Sequence, residues 1–213
     1  MENNERFNFK EELFNSISHG VGVLFAITAL VLVSVFAART ADAWKIVSGV
    51  IYGVSLVALF LASTLYHSFP RGKVKDVFEI MDHSAIFLLI AGTYTPFTLV
   101  NLRGPVGWTI FGIVWGLTLI GIVFKIFFVN KFVIFSTFIY ILMGWLIVFA
   151  MGPLAENLSP NGLFWLVMGG VLYTLGTPFY IIRKIPLHHG IWHLFVLAGS
   201  VCHFITVLFY VIL

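Results

Sequence analysis

Seven stretches of about 20 mostly apolar residues divide this chain, and each is long enough to cross the hydrocarbon core of a bilayer as a helix. They run over Ser16–Ala38, Trp44–His67, His83–Asn101, Pro105–Phe124, Phe132–Met151, Gly162–Ile182 and Gly190–Ile212. Short breaks of charged and turn residues separate them: Arg39 to Lys45, Phe69 to Met81, Arg103 and Gly104, Lys125 to Lys131, Pro153 to Asn161, and Arg183 to His189. Lipid offers no partner to a free backbone group, so such runs must be helices. The expected fold is an all-α membrane protein, a seven-transmembrane helix bundle. Composition agrees, with 60% of residues hydrophobic and 10% charged, where soluble domains carry about 25% charged residues. With short connections and no repeat, residues 1–213 read as a single domain, of which 1–15 form a polar cytoplasmic lead-in. That lead-in, with Glu2, Glu5, Glu11 and Glu12, does not read as a cleavable signal peptide. The single cysteine, Cys202, rules out an intrachain disulfide and reads as packing. Pro96 and Pro178 fall inside the third and sixth runs and should kink them, with Thr93, Thr95 and Thr177 near enough to help satisfy the freed carbonyls.

Lys and Arg set the orientation. One side collects Arg6 and Lys10, then Arg71, Lys73 and Lys75, then Lys125 and Lys131, then Arg183 and Lys184, while the other holds Arg39, Lys45 and Arg103. The richer side is cytoplasmic by the positive-inside rule, which puts the N-terminus inside and the C-terminus outside. Seven-helix receptors and rhodopsins run the other way, and the last run has no lysine to hold retinal.

That topology gathers the ionisable residues. His19 lies in the first turn of helix 1, His67 ends helix 2, Asp82 and His83 begin helix 3, and His188, His189 and His193 begin helix 7. All sit at the cytoplasmic level. His189 and His193 are i and i+4 and so share one helix face, as do Ser63 and His67. Glu12, Asn15 and His19 form a polar stripe at i, i+3 and i+7. His203 lies ten residues beyond His193, about 15 Å along the axis, too far to share a coordination sphere.

Three imidazoles with one open position make a catalytic zinc site. His67, His189 and His193 are the expected ligands. Asp82 is expected to orient the metal-held water as base, or to serve as a fourth ligand, and Ser63 to support a ligand or an oxyanion. Ionisable groups at membrane depth are rare and functional by default, which favours this reading over a chance HxxxH pair. Around the site, His19 is expected to hydrogen-bond within the bundle, and Glu12 and Asn15 to form a helix-start and packing device. His188 and His83 should meet the interface, and His203 should make a buried polar contact. The Phe and Trp residues read as lipid-facing surface and interface anchors.

The segments Glu12-x-x-Asn15-x-x-x-His19, Ser63-x-x-x-His67, Asp82-His83 followed by Ala91-Gly-Thr-Tyr-Thr-Pro-Phe97, and His189-x-x-x-His193 followed by His203-Phe204 together resemble the hemolysin III family of bacterial membrane proteins. That family is related to the progestin and adipoQ receptors and, more distantly, to the alkaline ceramidases of one hydrolase superfamily. The resemblance implies a seven-helix fold with a cytoplasmic N-terminus in a bacterial inner or plasma membrane. It also implies zinc held by the three histidines matching His67, His189 and His193, with Asp82 matching the aspartate that contacts the metal-bound water. The long N-terminal region of the animal receptors has no counterpart here, so no protein hormone is expected as a partner.

The expected partners are therefore membrane lipids, with a lipid substrate between the helices, and no nucleic acid. The leading expectation is a zinc-dependent intramembrane hydrolase of a lipid amide or ester, ceramidase-like. The alternatives are a hemolysin or pore-former, whose lysis would survive loss of His193, and a sensor of metal or membrane state with structural zinc, which would unfold on metal removal without a catalytic phenotype. The charge asymmetry makes a topological prediction. Alkaline phosphatase fused after Leu213 should be active and β-galactosidase at the same site inactive in a bacterial host; the reverse pattern would invert the bundle.

Overall fold

The structure is a computed structural model and describes residues 9–182 and 184–213. Arg6, Glu2, Glu5 and Arg183, used above for charge and orientation, lie outside the described residues. The seven helices are α1 (Phe9–Thr40), α2 (Ala43–Ser68), α3 (Lys73–Asn101), α4 (Pro105–Phe128), α5 (Val133–Asn157), α6 (Pro160–Ile181) and α7 (His188–Ile212). All seven are long and apolar enough to span a membrane, and no strand occurs among the described residues.

Two helix starts differ from the sequence expectation, both at the end where the polar residues gather. Helix α1 begins at Phe9 rather than Ser16, and α3 begins at Lys73 rather than His83. Glu11, Glu12 and Asn15 are therefore helical rather than part of a lead-in, and Asp82 and His83 lie more than two turns inside α3. The reason is physical. Polar residues at a helix end look like loop in sequence, but here they pair across helices and the helix extends to carry them. Lys125, assigned above to a loop, likewise lies inside α4 and is fully buried, with no hydrogen-bond partner for its Nζ among the described residues.

Neighbouring helices pack in chain order, α1 on α2, α2 on α3 and α3 on α4, while α6 packs along α7 and α7 returns to α1. Helix α3 is central, with 72% of its most apolar stretch buried, against 22% for α4 and for α6. The outer helices turn large apolar side chains outward, such as Phe127, Phe138 and Phe149, as a lipid-facing surface requires. At the end opposite the histidines, Arg103 lies over the Trp44 ring and Trp44 meets Trp108 edge-on, an arrangement suited to a membrane interface. Lys45 Nζ donates to the Ile212 carbonyl at 2.7 Å and so satisfies one of the orphan carbonyls ending α7.

The two internal prolines are accommodated differently. Pro178 frees the carbonyl of Thr174, and the Thr177 hydroxyl donates to that oxygen at 2.8 Å. Pro96 would free Gly92, but Thr95 donates instead to Ala91 at 2.7 Å, and the chain beyond Pro96 relaxes into wide π-type turns over Phe97–Asn101. Thr93 lines the interior cavity. Helix contacts are close where glycine allows it: a Cβ on Gly53 of α2 would fall 2.8 Å from the Leu30 Cα of α1, a backbone contact that cannot yield. Gly53→Leu should therefore destabilise the bundle by about 1–3 kcal/mol. Gly112→Leu, where a Cβ meets nothing within 4 Å, should leave thermal unfolding in detergent unchanged or slightly later.

Candidate metal centre

Helix α2 ends just after His67, because Phe69 takes an extended conformation. Helix α7 begins after Leu187, held at φ 55 in the left-handed region, so that His189 stands in its first turn and His193 one turn on. The two helix ends meet, and one ligand nitrogen from each of His67, His189 and His193 lies within 4.8 Å of the others. His67 and His193 are buried and His189 is half-buried. Three imidazoles so close fit a single metal ion, and among the described residues they form the one such cluster. Asp82 is not part of that close group.

The surrounding hydrogen bonds decide which nitrogen of two ligands is free. His67 Nδ1 donates to Glu12 Oε2 of α1 at 2.7 Å, and its Nε2 is buried with no protein partner. His193 Nδ1 lies 3.2 Å from the Asn15 carbonyl oxygen and 3.1 Å from Ser18 Oγ, which leaves Nε2 for a ligand. A metal-ligating histidine characteristically gives its other N–H to a carboxylate or carbonyl, which fixes ring and tautomer. Both partners are present here, so the donor set fits a metal that accepts neutral nitrogen ligands.

Glu12, in the first turn of α1, and Asn15 thus also act across helices. Glu12 is itself held by Lys75, whose Nζ lies 3.1 Å from Glu12 Oε1, donates to the Tyr66 carbonyl at 3.0 Å and sits 4.5 Å from the centre of the Tyr66 ring. Sequence reasoning missed Lys75 because it read Phe69 to Met81 as loop. Its spacing of i and i+7 to Asp82 on a continuous helix was the available signal. Tyr140 was also missed: its hydroxyl donates to the His83 carbonyl at 3.0 Å and ties α5 to α3 at this level.

A cavity of about 150 Å³ opens beside the cluster. His189 and His193 stand on its wall with Asp82, Ser63 and His19, and the remainder is mainly apolar, including Leu59, Ile86, Ile90, Phe97 and Trp145. Asp82 is buried, its carboxylate 3.9 Å from His83 Nδ1. Ser63 Oγ is buried and without a protein partner. His19 does not hydrogen-bond within the bundle as expected: both ring nitrogens are buried and unpartnered, and its ring stacks on His193 with centroids 3.5 Å apart. His83 also lines the cavity and donates from Nδ1 to the Glu79 carbonyl at 2.8 Å, and His188 Nδ1 donates to the Phe179 carbonyl at 2.9 Å, so neither is a free interface residue. His203 lines the same cavity and donates from Nε2 to the Leu166 carbonyl at 3.2 Å, the buried polar contact expected of it. Cys202 is a buried free thiol.

Fold and site define a multi-pass membrane protein whose helices converge on a buried three-histidine cluster at one end of the bundle. The chain belongs to the Haemolysin-III related family, whose model it matches over residues 7–204. It is 56% identical over 204 residues to Hemolysin-3 homolog of Bacillus subtilis (strain 168), covering 96% of each chain. It is 52% identical over 203 residues to Hemolysin-3 of Bacillus cereus, covering 95% of this chain and 93% of that protein. A more distant relative is monocyte to macrophage differentiation factor of Homo sapiens, 30% identical over 175 residues, 78% of this chain and 71% of that one. No solved structure matches the chain.

The role of Glu12 is directly testable. Glu12→Gln keeps the side chain's size but removes the charge facing His67 and Lys75, and should weaken retention of a divalent metal about 10- to 100-fold in chelator competition. Unchanged affinity would make Glu12 a packing residue.

Proposed function

We propose that this chain is a zinc-dependent intramembrane hydrolase of a lipid amide or ester, working at the membrane face that the Lys and Arg asymmetry assigns to the cytoplasm. The observation that carries this reading is one juxtaposition. Three imidazole nitrogens converge at the end of a mainly apolar cavity inside a membrane bundle, and two of those histidines, His189 and His193, share its wall with the buried carboxylate of Asp82. A purely structural metal site has no use for an adjoining apolar cavity or for a spare acid on its wall.

His67, His189 and His193 would hold the metal. When bound there, zinc supplies a Lewis acid and brings the pKa of water to about 7. The apolar wall receives the acyl chain and excludes bulk water from the reacting carbonyl. Asp82 takes a proton from the attacking water as general base. The Ser63 hydroxyl, which has no protein acceptor to compete, donates to the carbonyl oxygen as it gains charge. Water adds to the carbonyl carbon, the C–N or C–O bond breaks, and the proton held by Asp82 passes to the departing amine or alcohol.

The relatives' name, Hemolysin-3, favours a second reading in which the chain lyses cells. The two readings separate in one experiment. Purified zinc-loaded protein should release fatty acid from at least one lipid class, ceramides included, and Asp82→Asn should slow this about 10²- to 10⁴-fold. Release from no lipid class would sink the hydrolase reading. Lysis that persists in His193→Ala at equal expression would support the lytic one.

A further inference from the structure

His19 is a motif residue to which the mechanism above gives no task, and its surroundings are unusual. It lies on α1 among buried residues, 3% exposed. Neither ring nitrogen has a hydrogen-bond partner. A buried imidazole with both nitrogens unsatisfied loses its hydration without return, and in native proteins such a group calls for an explanation. Packing alone does not supply one. A Phe or Leu would fill the same space beside Phe60, which meets the His19 ring edge-on with centroids 5.1 Å apart.

Its neighbours point to the explanation. The His19 ring stacks nearly parallel on His193, at 10°, with centroids 3.5 Å apart, so its edge is held at the level of the three-histidine cluster. It lines the cavity together with Ser63 and Asp82. Phe60, against which it packs, lies one turn before Ser63 on α2, and Ser63 Oγ is likewise buried on that wall without a protein partner, as is His203 Nδ1 further along the cavity. Two unsatisfied polar side chains from adjacent helices therefore border the same end of one apolar cavity. A neutral imidazole carries one N–H donor in either tautomer. An oxyanion is best stabilised by fixed donors that have nothing else to bind.

We propose that His19 contacts the substrate, its ring N–H donating to the carbonyl oxygen of the lipid as the second donor beside the Ser63 hydroxyl. The inference rests on the lipid-hydrolase reading and adds a catalytic residue to it. His19 forms no bond and transfers no proton. It offers a fixed neutral dipole to the oxygen that gains charge when water adds to the carbonyl carbon, and the stack on His193 fixes where that dipole lies. The ligand it would recognise is an acyl carbonyl or the carboxylate of the fatty acid left after hydrolysis.

The test uses the full chain in detergent, loaded with zinc, as wild type, His19→Phe and His19→Asn. The first variant keeps a ring and loses both nitrogens; the second restores a donor. Three quantities are read: zinc per chain, turnover of N-palmitoylsphingosine resolved into kcat and KM, and the infrared carboxylate stretch of bound palmitate. All three proteins should hold the same zinc. His19→Phe should lower kcat by about 10²- to 10³-fold with KM little changed, His19→Asn should recover part of that loss, and the shift of the palmitate stretch on binding should shrink in His19→Phe. Unchanged kcat and an unchanged palmitate stretch in His19→Phe, with an active wild type, would overturn the proposal and leave the hydrolase reading standing. Loss of zinc in His19→Phe would make the residue a support for the metal centre and overturn the proposal as well. A wild type that holds zinc yet neither hydrolyses lipid nor binds palmitate would remove the hydrolase reading itself, and the proposal with it.

Discussion

The hydrogen bond from His67 to Glu12 is the interaction on which the polar end of this bundle depends. It is short, at 2.7 Å, and it joins α1 to α2. Through the second oxygen of Glu12 it extends to Lys75, which brings in the start of α3. A carboxylate and an ammonium at this depth are tolerated only when paired. Here each satisfies the other while Glu12 turns the free nitrogen of His67 toward α7. Removing one partner would leave the other unpaired at this half-buried site, so the pairing fixes both the fold of this end and the geometry of the cluster.

From that constraint the rest of the arrangement follows. Helix α1 must reach back to Phe9 to carry Glu12, and α3 must begin at Lys73 to carry Lys75. Helix α7 is drawn to the same level, where Asn15 and Ser18 of α1 meet His193. Four helices then share their polar residues at one end, while the outer surface of the bundle remains apolar for lipid. The cavity lies within this frame, polar at the end where His189, His193, Asp82, Ser63 and His19 stand and apolar over most of its remaining wall.

Much of this was legible in the sequence, for a simple reason. A membrane helix is announced by run length alone, and all seven runs were visible as apolar stretches. The i and i+4 spacing of His189 and His193 put two ligands on one face, and the topology brought His67 to meet them. What the sequence could not convey was pairing between helices. Spacing tells which residues share a face but not what that face meets, so Glu12 and Asn15 read as a helix-start and packing device, with no partner named, and Lys75 as loop. For the same reason the polar ends of α1 and α3 were cut short. His19 looked like a residue bonded within the bundle, and only the packing shows its ring stacked on His193 with both nitrogens free.

The central claim is that three histidines from α2 and α7 hold one metal ion, and the most direct measurement is metal content. Mass spectrometry on detergent-purified wild type and on the His189→Ala/His193→Ala double variant should find roughly one zinc per chain in the first and essentially none in the second. A wild type that carries no metal, even after zinc is restored, would contradict the account and leave the cluster as a set of buried imidazoles that pack without a ligand.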